Sequence, residues 1–165
     1  MATQLPVPIE FRLPEGWRSA PPDEVGAPGV AFVALHPASS DGFTANITIS
    51  GRVRADDEDL ETTGDESVRR IEQQATGEVT VRDRARIGSA ESPGLTQMLD
   101  FETAVDDRAL ALNQCQVYLS MQDISDPGTR ALVEVVLTCT RAQLDTVIGD
   151  FRQFLTTLTV SREEP

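Results

Sequence analysis

Residues 131–158 read ALVEVVLTCTRAQLDTVIGDFRQFLTTL, and this stretch predicts a strand followed by a helix. Up to Thr140 the apolar residues alternate, which is the pattern of a β-strand with one buried face. Thr140 and Gln143 are spaced as a capping box, in which each side chain accepts a hydrogen bond from a free backbone N–H. A helical stripe follows, made of Leu144, Val147, Ile148, Phe151, Phe154, Leu155 and Leu158. A helix with one apolar side must pack on an apolar surface, and the preceding strand offers one.

Length and composition indicate one globular domain, residues 1–165, with 39% hydrophobic residues and a full core. The formal charge is −13, from 27 acidic and 14 basic residues. This charge argues against nucleic acid and anionic membrane as partners, because either would be repelled. It leaves basic proteins as partners, or solubility alone as its role. The first residues carry no positive region and no continuous apolar stretch, so we expect a cytoplasmic protein without membrane insertion.

Shorter patterns upstream predict more strands and one further helix. Residues 54–66 are acidic and are expected to form a loop, and a weak apolar stripe then predicts a helix that ends at Gly77. Thr63 and Glu66 are spaced as its capping box. A turn at Ser92-Pro93-Gly94 should join two hairpin arms, and an irregularity is expected near Asn113, where the apolar parity switches. The predicted strands are 9–13, 30–35, 43–53, 78–88, 95–105, 110–121 and 131–140. Short connections between consecutive strands predict an α+β fold with one antiparallel sheet.

Counting excludes most catalytic constellations. His36 is the only histidine, and no nucleophile elbow accompanies it. No phosphate-binding or dinucleotide-binding glycine loop is present, and two cysteines without a histidine cluster do not make a zinc site. Cys115 and Cys139 should share one face of a hairpin, and we expect two reduced, buried side chains rather than a disulfide. The sequence therefore predicts no catalytic residue, cofactor or metal.

An acidic run is the first candidate binding surface. Asp56, Asp57, Glu58 and Asp59 lie together, but they lack the ligand order and the central glycine of an EF-hand loop. The run is expected to be a solvated loop, or a docking site for a basic partner.

Three arginines are the second candidate. Arg82, Arg84 and Arg86 alternate along one predicted strand and could contact an anion. A turn at Pro93 would instead place Arg86 opposite Asp100 and Arg84 opposite Glu102, as cross-strand ion pairs. We expect the ion pairs.

Trp17, the only tryptophan, is the third candidate. An exposed tryptophan would mark a binding hot spot. A tryptophan that follows a short strand and Gly16 more often covers the end of a core, and this is the expected role.

Three segments resemble bacterial members of the PsbP/Mog-like superfamily, of the LpqN or DcrB type. They are FRLPEGW at 11–17, FTANITI at 43–49 and FRQFL at 151–155. The resemblance implies an antiparallel sheet of about six to seven strands flanked by helices on both faces, an α/β/α sandwich. It also implies a binding protein, since members include a photosystem II subunit, a small-GTPase binder and secretion chaperones. It supplies no catalytic residues.

The sequence thus favours a non-enzymatic protein-binding module, such as an adaptor or a secretion-linked chaperone, that binds a protein partner through the polar sheet face or the loops at 18–29 and 54–64. One alternative is a small-ligand binder or enzyme with a pocket between sheet and helix that contains His36 or Arg84. Another is a self-associating structural protein, for which a homodimer would be the simplest form.

Overall fold

A computed structural model describes residues 5–22, 29–36, 43–54, 58–90, 92–105, 107–123, 126 and 128–160. Within these ranges the chain forms two α-helices and nine strands, all of them paired in antiparallel fashion. The elements are β1 (Ile9–Glu10), β2 (Arg18–Ala20), β3 (Phe32–Leu35), β4 (Asn46–Val53), α1 (Leu60–Gln74), β5 (Thr80–Gly88), β6 (Pro93–Val105), β7 (Arg108–Gln122), β8 (Arg130–Thr140), α2 (Leu144–Thr157) and β9 (Thr159–Val160).

The main sheet of the described chain has the strand order β2-β3-β4-β8-β7-β6-β5. Strands β5 to β8 follow one another as hairpins, whereas β4 pairs with β8 from the far end of the sequence. The remaining strands, β1 and β9, pair with each other and bring the two ends of the described chain together. The predicted α+β class and its antiparallel sheet are confirmed.

Helix α2 covers one face of the main sheet, and it uses the predicted stripe. Phe151 and Phe154 are buried against Val133, Val135 and Leu137 of β8, in the largest apolar cluster of the described residues. At about 1.5–3 kcal/mol for each large apolar side chain removed from water, this cluster provides most of the gross stabilisation.

Helix α1 covers the opposite face, so β8 is buried on both sides. Leu132 and Val136 point away from α2 and are still only 3% and 8% exposed. The prediction of a single buried face for this strand is therefore wrong. The reason is topological, since a central strand with a helix on each side has no solvated face.

The two helices begin differently from each other. The two hydrogen bonds predicted between Thr140 and Gln143 are present: the Thr140 N–H donates to Gln143 Oε1 (2.9 Å) and the Gln143 N–H donates to Thr140 Oγ1 (3.2 Å). They close the turn before α2, and the N-cap of α2 is Gln143 rather than Thr140. The expected box of Thr63 and Glu66 is wrong, because α1 begins at Leu60 with Asp59 as its N-cap. Asp59 accepts a hydrogen bond from the Glu61 N–H (3.1 Å), which is the role of an acidic N-cap.

The β5–β6 hairpin has a tighter turn than expected. Pro93 is the first residue of β6 and pairs with Gly88, while the Ser89 N–H donates to the Ser92 carbonyl (3.2 Å). Gly88 has a φ of 80°, and a Cβ there would meet the Ser92 oxygen at 2.2 Å. The turn therefore requires glycine at 88, and the predicted turn centred on Pro93 is wrong.

Other local predictions differ in detail. The register runs without interruption through Asn113, and the irregularity lies instead between Val81 and Asp83. The predicted early strands are shorter than expected, and β2 and β9 were not predicted. No helix in the described part of the chain is both long enough and apolar enough to cross a membrane.

Candidate functional site

The face of the main sheet under α1 carries a buried polar network. Gln97 of β6 and Gln116 of β7 are paired residues, 2% and 1% exposed, and the Gln97 amide donates to Gln116 Oε1 (2.6 Å). Gln116 donates in turn to Gln114 Oε1 (2.5 Å). Gln97 also donates to the Gly64 carbonyl of α1 (3.1 Å) and accepts from Arg84 Nε (3.0 Å). Hydrogen bonds therefore fix α1 to the sheet at a place where an apolar core would be expected.

Gly64 permits this close approach. A Cβ at this position would meet Gln97 Oε1 at 2.9 Å and Leu95 Cδ2 at 3.0 Å. Because a glycine inside a helix costs helix propensity, its presence here is explained by the packing of α1 onto β6.

Beside the glutamines, Tyr118 and Glu134 are direct cross-strand neighbours. The Tyr118 side chain is 1% exposed, and its hydroxyl lies within hydrogen-bond distance of two acceptors, Gln116 Oε1 (3.4 Å) and Glu134 Oε1 (3.5 Å). Burial raises the pKa of Tyr118 to about 12, and it also raises the pKa of Glu134 above its ordinary value. The positive charges of Arg70 and Arg52 act against the shift in Glu134. Among the described residues, however, no arginine is close enough to Glu134 to form an ion pair.

Arg52 and Glu58 form a closed pair near Glu134. Both terminal nitrogens of Arg52 bond the two carboxylate oxygens of Glu58, one of them at 2.7 Å. Thr63 Oγ1 donates to the same carboxylate (3.0 Å). The hydrogen bond to Glu58 raises the pKa of Arg52. The Arg52 guanidinium is therefore already paired with a carboxylate of its own chain.

These groups line a groove between α1 and strands β4 and β8, called here the α1 groove. Its volume is about 610 Å³. Its floor includes Tyr118, Leu132 and Glu134, and its wall is the side of α1 that carries Thr62, with Glu66 and Arg70 on later turns. Its charged lining residues within the described chain are Arg52, Arg70, Glu58, Asp59, Glu66 and Glu134. Four carboxylates against two guanidiniums give the groove a formal charge of −2.

Only part of the acidic run at 56–59 lies among the described residues. Asp56 and Asp57 lie outside the described residues. Glu58 binds Arg52, and Asp59 caps α1, so both described members have structural partners. The expected solvated loop over 54–66 is wrong from Leu60 onward, since α1 begins there. Glu58 and Asp59 nevertheless line the α1 groove.

The three arginines of β5 are paired, but not in the predicted way. Arg86 bonds Glu61 (3.0 Å) and Arg84 bonds Asp65 (2.8 Å), and both of these acids belong to α1. The predicted pairs of Arg86 with Asp100 and of Arg84 with Glu102 are wrong, because the tighter turn shifts the register of β5.

The third arginine, Arg82, lies 3.7 Å from Asp100. None of the three arginines lines the α1 groove; Arg86 lines a second, smaller groove of about 390 Å³. The three arginines are thus paired rather than converging as an anion site, but both of the specific pairs that the sequence predicts are wrong.

Trp17 covers one end of the core, as predicted. It is 7% exposed, its Nε1–H donates to Asp150 (2.9 Å), and its ring meets that of His36 edge-on at 5.1 Å. A buried tryptophan with its N–H satisfied does not present a contact surface. His36 lines neither groove, and neither does Arg84. The cavity expected of a small-ligand enzyme is therefore not one of these two grooves.

The cysteines and acidic side chains of the described chain show no reactive grouping. Cys115 and Cys139 are free thiols, as expected, and burial raises their pKa values to about 11 and 12. Among the described residues no three metal-ligating side chains are close enough to hold a metal ion.

Sequence reasoning missed the central residues of the α1 groove: Glu134, Tyr118, Arg52, Glu66 and Arg70. One signal was available. Glu134 is the only charged residue within the apolar run of β8, between Leu132 and Val136 on the same face. Both faces of β8 are covered by helices. Because charged residues are rarely buried in such a strand, Glu134 indicates a special role at this position.

The fold has relatives among solved structures, although no protein-family profile and no curated protein matches the sequence. LpqN, a protein involved in cell envelope biogenesis in Mycobacterium tuberculosis, superposes with a TM-score of 0.63 at 9% identity, over 93% of this chain and 83% of LpqN. CyanoP, the PsbP of Synechocystis sp. PCC 6803, superposes with a TM-score of 0.57 at 16% identity, over 93% of this chain and 86% of CyanoP. The chain has the PsbP-like fold.

PA94 of Pseudomonas aeruginosa, a protein of unknown function, has the same PsbP-like fold. Its TM-score is 0.54 at 23% identity, over 80% of this chain and 83% of PA94. The expected resemblance to PsbP and LpqN is therefore confirmed at the level of the fold. At these identities the likeness concerns architecture, so the function has to be argued from the α1 groove.

Proposed function

We propose that the protein is a non-enzymatic protein-binding module whose α1 groove receives a basic segment of a partner protein. The observation that carries the proposal is the groove itself, which has a formal charge of −2 on a chain of charge −13. Charge of one sign in a cleft attracts a partner of the opposite sign and raises its association rate. An adaptor or a secretion-linked chaperone would use such a groove.

The dimensions of the groove support a polypeptide rather than a single ion. Its wall includes Asp59, Thr62, Glu66 and Arg70, which follow one another along α1. At 1.5 Å of rise per residue these positions span about 16 Å, the length of roughly five residues of extended chain. A short extended segment of a partner therefore matches the length of the groove wall.

A cytoplasmic location belongs to the same proposal. LpqN has the same fold and is involved in cell envelope biogenesis, so the fold alone is compatible with another location. Fractionation of the native host would show whether the protein is found in the cytoplasm.

Site-specific cross-linking in the native host tests the proposal. A photoreactive phenylalanine analogue replaces Thr62, which is exposed in the groove wall, and in a control protein it replaces Glu72, which is exposed on α1 and lines neither groove. We expect a discrete cross-linked partner from position 62 and none from position 72.

Charge reversal then tests whether the captured protein binds through the groove. With the purified partner, Glu66→Arg should weaken binding on the order of tenfold, whereas Glu72→Arg changes the net charge equally and should have little effect. Equal capture from both positions, or equal weakening by both variants, would contradict the proposal. Turnover of a small molecule by the purified protein, without any partner, would favour the enzyme alternative.

A further inference from the structure

The four carboxylates of the α1 groove have different environments. Glu58 is bonded by Arg52, Asp59 caps α1, and Glu66 is exposed on the wall. Glu134 is half-buried on the floor, and within the described chain no arginine forms an ion pair with it. Glu134 is therefore the acid of this groove that is partly buried and yet has no ion pair among the described residues, although the charges of Arg70 and Arg52 act on it from further away.

We propose that Glu134, with the Tyr118 hydroxyl beside it, anchors one arginine side chain of the segment that the groove receives. This inference rests on the proposed function, and it names the group that the partner must supply. A half-buried carboxylate loses part of its hydration, and an incoming cation restores the lost stabilisation.

The geometry favours a guanidinium. The Tyr118 hydroxyl lies 3.5 Å from Oε1 of Glu134, and the second carboxylate oxygen accepts no hydrogen bond from a described residue. A guanidinium carries several N–H groups in one plane, so it can bond the free oxygen and share the other with Tyr118. The apolar stem of an arginine would lie along Leu132, which forms the adjoining part of the floor.

An anion is disfavoured at the same position. Arg52 is bonded through two nitrogens to Glu58, which leaves Arg70 as the other groove arginine of the described chain. An anion near Arg70 would also be close to Glu66 and Glu134 and would approach a protein of charge −13. The repulsion from these carboxylates opposes its binding.

An NMR titration with a defined probe tests the anchor. The probe is N-acetyl-arginine N-methylamide, and the control compound is its citrulline analogue, which has nearly the same shape without the charge. We expect saturable shifts of the backbone amide signals of Tyr118, Leu132 and Glu134 with the arginine compound alone. Equal shifts with citrulline would overturn the anchor.

Two matched variants complete the test. Glu134→Gln keeps the shape of the side chain and should weaken the arginine compound on the order of tenfold or more, since a charge-assisted hydrogen bond is lost. Glu72→Gln removes one equal charge from the outer side of α1 and should leave binding unchanged. Unchanged binding by Glu134→Gln, in a protein whose amide spectrum shows it to be folded, would refute the assignment.

The anchor and the proposed function can fail separately. If the partner captured from position 62 binds wild type and Glu134→Gln equally well, the anchor is wrong and the groove remains the docking surface. If the arginine compound binds at Glu134 while position 62 captures no partner, the proposed function is wrong and the cation site stands.

Discussion

The two faces of the main sheet are built from different chemistry. The face under α2 is apolar from β4 to β7, with Phe151 and Phe154 packed over the aliphatic side chains of β4 and β8. The face under α1 has two small apolar clusters, and the paired Gln97 and Gln116 separate them. Helix α2 is thus held by burial of apolar surface, and α1 by smaller apolar contacts together with directed hydrogen bonds.

The comparison explains where a binding groove can exist. Apolar packing is non-directional, and among the described residues the α2 face is filled by apolar side chains that pack against the helix. Each buried polar group needs its own hydrogen-bond partner. The polar side chains of the α1 face continue past the helix as far as Glu134, on the floor of the α1 groove. We infer that the α2 face provides stability and the α1 face provides recognition.

The largest expected effect comes from the apolar face. Phe151 is 1% exposed, and Phe151→Ala should lower the free energy of unfolding by about 3–5 kcal/mol, because it leaves a cavity in the main core. Ile71→Ala removes a partly buried side chain of α1 and should cost less than about 2 kcal/mol. Urea denaturation followed by circular dichroism measures both values. Equal costs would show that the two faces contribute alike.

The polar face should respond to a change that the apolar face would tolerate. Gln116→Leu removes the acceptor of one Gln97 N–H and the donor to Gln114 Oε1, and we expect a loss of about 1–3 kcal/mol in the free energy of unfolding. Adding Gln97→Leu removes one of these stranded groups. The double variant should therefore cost less than the sum of the two single ones. Additive costs in the same urea experiment would mean that the glutamines do not act as a network.

The difference between the two faces of the sheet also explains which elements could be predicted from the sequence. The period of α2 and the alternation of β8 are visible because both pack on apolar surface. Helix α1 packs on glutamines through its own Gly64, so its first turns have no apolar stripe, and the sequence pattern predicts an acidic loop up to residue 66. For the same reason the sequence pattern predicts a solvated acid at Asp59, which is the N-cap of α1 in the structure.

The sequence pattern could predict neither the register of β5 nor the shortest strands. A proline followed by glycine at 93–94 is typical of a turn, but Gly88 with its positive φ set the turn earlier and moved Arg84 and Arg86 onto α1. Strands of two or three residues, such as β2 and β9, are shorter than any detectable period. Glu134, Tyr118 and Arg70 meet only because β7, β8 and α1 come together in space, and no sequence spacing encodes that.

Two helical glycines provide a matched and smaller test. A Cβ at Gly149 of α2 would meet nothing within 4 Å, so Gly149→Ala should raise the free energy of unfolding by about 0.5–1 kcal/mol through helix propensity. Gly64→Ala gains the same propensity but forces α1 away from Gln97 and Leu95, and we expect a net loss of about 1 kcal/mol. Thermal unfolding of both variants would separate them. A stabilising Gly64→Ala would contradict the close approach of α1.

The smallest expected effect concerns the pH dependence of stability at Glu134. Burial raises the pKa of this carboxyl in the folded state, with Tyr118, Arg70 and Arg52 facing it. At a pH below the ordinary carboxyl pKa, folded and unfolded chains both carry the proton, and the site costs nothing. As the pH rises from that value through the higher folded pKa, the unfolded chain loses its proton more readily, so the free energy of unfolding falls.

Glu134→Gln removes this dependence while keeping the size of the side chain. The variant should match wild type near pH 4 and exceed it in stability by less than about 1 kcal/mol near pH 7. Urea titrations at several pH values, with Glu72→Gln as the control, would measure the difference. A variant that is more stable and yet no longer binds the arginine compound would show that Glu134 is kept at a cost to folding, which is expected of a recognition residue and not of a structural one. A variant less stable than wild type at pH 7 would assign Glu134 to the framework of the fold instead.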